Sequence, residues 1–163
     1  MDQEQRRVAQ RTMRELVSRD WLERLDPGSP EWLRELLAEL IDVHVRGDID
    51  AFMAQAHPDL EIAQPPEIPG PTTYRRGPDG LVDAILDWPH QWEDFSVNAT
   101  RIFALDEGRW AIQAIHRGRS RSAGLEVGAE IVWVFTYEDR LMRRWDMYMS
   151  LDEALRAAGS DGP

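Results

Sequence analysis

The feature that most constrains this sequence is a change in hydrophobic period partway along it. Up to about residue 90 apolar residues recur at helical spacing, and from residue 94 they alternate. Four runs, near 95–105, 109–118, 125–137 and 141–149, read as an antiparallel series with short connections. The third is the clearest. Leu125, Val127, Ala129, Ile131, Trp133, Phe135 and Tyr137 share one face, and Glu126, Gly128, Glu130, Val132, Val134 and Thr136 the other.

Upstream, Val8, Met13, Leu16, Val17, Trp21 and Leu25 form one stripe, which predicts a helix over 5–25 ending at Asp26-Pro27-Gly28. Ser29 is placed to cap a second helix carrying Leu33, Leu37, Leu40, Ile41 and His44. Gly47 ends it, and Asp48 caps a third that buries Ile49, Phe52 and Met53. Leu60 and Ile62 open a strand. Four prolines between Gln64 and Thr73 then make a stiffened loop, and Pro78 to Asp87 reads as another helix. Ser150 and Glu153 form a capping box for a last helix, which ends at Gly159. Helices followed by a long antiparallel sheet give an α+β domain.

Composition removes several chemistries. The 163 residues contain no cysteine, so disulfides, thiolate nucleophiles and zinc-thiolate sites are excluded. All 19 basic residues are arginine, which excludes Schiff-base lysines. Thirty acids leave a net charge of −11. Such a chain repels phosphate backbones, so nucleic acid and anionic membrane are poor partners. Residues 1–30 balance six acids against six arginines, so the charge belongs to the rest of the chain. The start shows no signal-peptide core, and a cytoplasmic protein is expected. No histidine pair or carboxylate cluster has ligand spacing, so no metal is expected.

Proton transfer then falls to carboxylates, histidines and tyrosines. If Asp139-Arg140 form a two-residue turn, Asp146 lies opposite Trp133, Tyr148 opposite Ile131, and Arg144 opposite Phe135. That register puts the Asp146 carboxylate on the apolar face, where it must be paired or shift its pKa toward neutrality. An ion pair with Arg144 or Arg101 is the competing account. His44 sits on an apolar helical stripe. His116 shares a strand face with Trp110, Ile112 and Ala114, and Tyr74 follows the proline loop as a possible hydrogen-bond donor. Trp88, Trp92 and Trp133 are candidate pocket walls, with Phe52 and the flexible Met53.

Three helices, a GRSRSAG hairpin, a VFTYEDRLMRRWDMY strand pair and a terminal LDEALRAAG helix together resemble the SnoaL-like group. That group includes polyketide cyclases and ketosteroid isomerase, within the nuclear transport factor 2-like superfamily. The resemblance spans about residues 31–159, leaving 1–30 as a helical extension and 160–163 as a tail. It implies a cone-shaped curved antiparallel sheet wrapping the helices, an apolar pocket, no cofactor, and a homodimer through the outer sheet face. By position, the isomerase's tyrosine, base aspartate and protonated aspartate fall at Leu40, Gln64 and Val132, none of which can do the work. The Trp145-Asp146 pair matches the cyclases' acid/base aspartate, while their histidine would fall at Val132 or Trp133. Epoxide hydrolases of the superfamily hold water with an arginine between two aspartates, which Arg144 and Asp146 match in part. The expectation is a small apolar molecule in a cone pocket, with Asp146 as proton donor or acceptor. The competing readings are a non-catalytic binding or assembly module and epoxide hydrolase-like water activation.

Overall fold

A computed structural model describes residues 1–68 and 72–159, so the predicted tail at 160–163 and the middle of the proline loop lie outside the described residues. Helix α1 spans Gln3–Leu16 and starts at a reciprocal capping box between Asp2 and Gln5. The predicted helix over 5–25 is interrupted. Val17 is extended, and Ser18 accepts from the Asp20 amide to open a 3-10 turn over Arg19–Arg24. Helix α2 spans Glu31–Arg46. Ser29 does not cap it, because its hydroxyl donates to the Asp26 carbonyl at 2.6 Å. Gly47, at φ 64°, ends α2 in the left-handed region. Asp48 then caps α3, Ile49–Ala54, by accepting from the Ala51 amide.

Strand β1 covers Ala56–Ala63 and β2 covers Tyr74–Arg76. Helix α4, Gly77–Gln91, runs past the predicted end at Asp87 and includes Pro89. Strands β3 (Trp92–Asp106), β4 (Arg109–Ser120), β5 (Glu126–Glu138) and β6 (Leu141–Tyr148) follow, then α5, Leu151–Ala157. The described strands form one curved, unclosed sheet in the order β2-β1-β6-β5-β4-β3. The predicted antiparallel series is β3 to β6; β1 joins it parallel to β6, and β2 pairs antiparallel with β1. Three register shifts along β3 supply the bends a curled sheet requires.

The alternation in β5 sorts the two faces. Ile131, Trp133 and Phe135 enter a concave core with Ile112, Met142, Trp145 and Met147. Val132 and Val134 join Phe103 and Ala111 on the convex face under Ala154 of α5. The extension belongs to the concave core, since Met13, Leu16, Val17 and Trp21 are all buried in it. An apolar side chain buried this way contributes about 1.5–3 kcal/mol.

One further shift decides where the functional candidates go. The β5–β6 hairpin opens in the expected register, with Glu138 opposite Leu141 and Tyr137 opposite Met142. Thr136 then pairs with Arg144, so Arg143 is an extra residue in β6. From there every partner is displaced by one. Asp146 faces Val134 rather than Trp133, and Tyr148 faces Val132 rather than Ile131.

Candidate functional site

The bulge puts Arg144, Asp146 and Tyr148 on the convex face, which corrects the expected placement of all three. There Arg144 donates through Nε and Nη2 to the two Asp146 oxygens at 3.1 and 2.9 Å. Its Nη1 donates to Glu61 Oε2 at 2.7 Å, and the Tyr74 hydroxyl donates to Glu61 Oε1 at 2.6 Å. Three strands thus meet in one network, because β1 pairs Glu61 with Arg144 and Arg76, and Ala63 with Asp146 and Tyr74. The Tyr74 hydrogen bond, with Arg144 and Arg143 close by, holds the Glu61 carboxyl below its usual range; Tyr74 is correspondingly raised. Asp146 is therefore clamped in a two-pronged ion pair rather than set in an apolar wall. Glu61 was missed in the sequence, although its position between Leu60 and Ile62 already turned it away from the core.

The other candidates gather on the concave side. His44 is buried, and its Nδ1 donates to the Leu40 carbonyl at 2.8 Å, with Phe52 edge-on at 4.6 Å. Burial lowers its pKa to about 4, only partly offset by the Leu40 carbonyl. Its ring is held as a hydrogen-bonded core residue. Met53 is half-buried against the same core.

His116 differs. It faces inward from β4 between Trp92, 4.6 Å away and edge-on, and Trp88 at 5.0 Å. It is 6% exposed, and its Nε2 has no hydrogen-bond partner among the described residues. Burial lowers its pKa to about 4, so the imidazole is neutral at pH 7. The Nε1 atoms of Trp88, Trp133 and Trp145 also lack partners there. A buried donor left unpaired costs about 1–3 kcal/mol; the same state recurs elsewhere in the core at Trp21 and Trp110 Nε1, Thr12 Oγ1 and Gln55 Oε1, and what sets His116, Trp88, Trp133 and Trp145 apart is the aromatic cluster they share.

The voids beside them are small. One of about 50 Å³ lies between His116, Trp88, Trp92 and Trp133. A second, about 20 Å³, shares the three tryptophans and reaches Gln64 and the Arg75–Asp87 ion pair. A third, about 30 Å³, lies behind Trp133 at Leu16, Trp21, His44 and Phe52. The large opening is elsewhere: a groove of about 1220 Å³ between α2, α3 and the hairpin turns, with Trp32, Leu36 and Tyr137 in its walls and Glu35, Glu39 and Glu107 at its rim. Its carboxylates are exposed and solvated, whereas the tryptophan-lined chamber holds unmet hydrogen bonds. Among the described residues no group of three or more histidines and acids could hold a metal ion, and no helix is long and apolar enough to cross a membrane.

The SnoaL-like domain family model matches residues 37–145, two-thirds of the chain. The chain belongs to the SnoaL-like family. No curated protein matches it. Among solved structures it is similar to a SnoaL-like polyketide cyclase candidate from Mesorhizobium loti, at 13% identity and a TM-score of 0.54, covering 71% of this chain and 97% of that one. A Catenulispora acidiphila protein with a ketosteroid isomerase-like fold, in complex with trimethylamine, is 13% identical over 81% and 95% of the two chains, with a TM-score of 0.55. TerC, co-crystallised with polyporic acid, is 15% identical over 69% and 86%, with a TM-score of 0.52. Identities this low establish the shared fold, the nuclear transport factor 2-like cone. The SnoaL-like match begins inside α2 and ends at Trp145, so it excludes α1 and the 3-10 turn that pack into the cone.

Proposed function

We propose that this SnoaL-like protein binds a small, planar, apolar molecule bearing oxygen acceptors in the chamber formed by Trp88, Trp92, Trp133 and His116. The carrying observation is the convergence of unpartnered polar atoms, His116 Nε2 and the indole nitrogens of Trp88, Trp133 and Trp145, around tryptophan-lined space. An indole N–H only donates, and a neutral imidazole donates from one nitrogen, so the matching ligand group is a carbonyl or similar oxygen. Aromatic walls give such a molecule its area of contact.

The same geometry favours binding over rapid proton transfer. A base is most effective with a pKa near the working pH, and His116 at about 4 is far below it. Asp146, the family-matched aspartate, lies on the opposite face, clamped by Arg144. The homodimer expected through the outer sheet face belongs to this reading, and a monomer in light scattering would remove it. The test of the reading is a thermal-shift and tryptophan-quenching screen with aromatic carbonyl compounds. A ligand at a hundred times its dissociation constant adds about 2.7 kcal/mol to stability. A hit that survives Trp88→Ala unchanged would sink the assignment.

A second reading has one observation in its favour. Arg144 bridges Asp146 and Glu61, which supplies the second acid missing from the epoxide hydrolase-like pattern. Diol formation from an apolar epoxide, abolished by Glu61→Gln, would establish it.

A further inference from the structure

The inner voids hold at most a water or two each, yet a planar ligand of the proposed kind needs several hundred cubic ångströms. Something has to leave. The strand side chains of the wall ride on paired strands and cannot withdraw without breaking the ladder, and α4, which brings Ile85 and Trp88, runs without a break from β2 into β3 of the same sheet. Leu16 is different: it lines two of the three voids, while Val17 and Trp21 line the one behind Trp133. All three belong to the segment before residue 37, outside the matched SnoaL-like unit.

That segment is attached by few polar links. Arg14 Nη2 donates to the Arg46 carbonyl at 3.1 Å, at the C-terminal end of α2, and Arg6 pairs with Asp50 at an exposed site. Its firm anchor lies further on. Asp26 takes three hydrogen bonds from Arg101 and donates its amide to Ile102, beside the Leu25–Ile102 bridge. Between the buried helix and this anchor, Val17 is extended and interrupts the helical hydrogen bonding.

We propose that the Leu16–Trp21 segment is an intramolecular occupant of the concave face, which swings out about its Leu25–Asp26 anchor when a ligand enters. This rests on the reading that a ligand occupies the tryptophan chamber. Apparent affinity is then reduced by the fraction of time the segment is closed, and residues 16–21 set both access and pocket size.

The absence of native cysteine allows a direct test in the full chain. Val17→Cys places one thiol in the segment, and Ile112→Cys places one in the middle of β4 as a control for global unfolding. Both residues are buried. Labelled with a thiol reagent in native buffer, the thiol at position 17 is expected to react at least 100-fold faster than that at 112. Saturating 9-fluorenone, a planar apolar carbonyl probe, should speed position 17 a further tenfold or more and leave position 112 unchanged. Equal rates at the two positions would overturn the proposal, since the segment would then open only with the whole fold. So would fluorenone quenching tryptophan emission while labelling at 17 stays constant or slows. Failure of fluorenone to bind counts against the ligand reading, and the rate comparison still decides the segment by itself. If Val17→Cys does not fold, amide hydrogen exchange at Leu16 and Val17 against Ile112 in the unmodified chain gives the same comparison.

Discussion

The two faces of the sheet hold their polar groups in opposite states. On the convex face four polar candidates are engaged with one another: Tyr74 with Glu61, Glu61 with Arg144, and Arg144 with Asp146. On the concave face, His116 Nε2 and the indole nitrogens of Trp88, Trp133 and Trp145 are buried without partners among the described residues. A satisfied network near solvent stabilises modestly and recruits nothing. An unsatisfied cluster inside a core is costly by itself, which makes it the more informative place to look for a ligand.

This contrast can be broken most forcefully on the concave side. Trp21→Ala removes a fully buried indole from the core and should cost about 3–5 kcal/mol, lowering Tm by roughly 10 °C. A loss below about 1 kcal/mol would mean that the extension is not part of the core. Next in size is the pH response. His44 and His116 have folded pKa values near 4 against an ordinary value of 6.5. Between those limits the unfolded chain binds more protons, so stability is complete above about pH 6.5 and declines as pH falls toward 4. Denaturant midpoints across that range should flatten in the His44→Gln, His116→Gln double variant; an unchanged slope would refute the burial of both rings. Smallest is Asp146→Asn, which weakens a partly exposed ion pair and should cost below about 1 kcal/mol. A loss of several kcal/mol there would show that the convex network does more than tie strands together.

The fold was largely legible because periodicity and caps are local signals. Asp48 and Ser150 cap where they were expected to, and the inward face of β5 is the one its alternation indicated. The site was less legible because it depends on register. Nothing in Arg143-Arg144-Trp145 marks which residue is extra, and a single bulge turned Asp146 from the wall of a pocket into half of a partly exposed ion pair. Likewise the stripe through Leu16, Val17 and Trp21 keeps its helical spacing across a break, so only Ser18 hinted at a new start. Leu60 and Ile62 read as the opening of a strand. Yet β1 begins at Ala56, and Pro58 falls where the β1–β6 register is interrupted and no ladder hydrogen bond is needed.

The central claim is that any ligand is held by the inward cluster around His116 and not by Asp146. The most direct measurement is the affinity of one aromatic carbonyl ligand, read by calorimetry, for His116→Phe and Asp146→Asn beside the parent chain. At least a tenfold loss is expected for His116→Phe and a change within twofold for Asp146→Asn. The reverse pattern, with affinity lost at Asp146 and kept at His116, would contradict that claim.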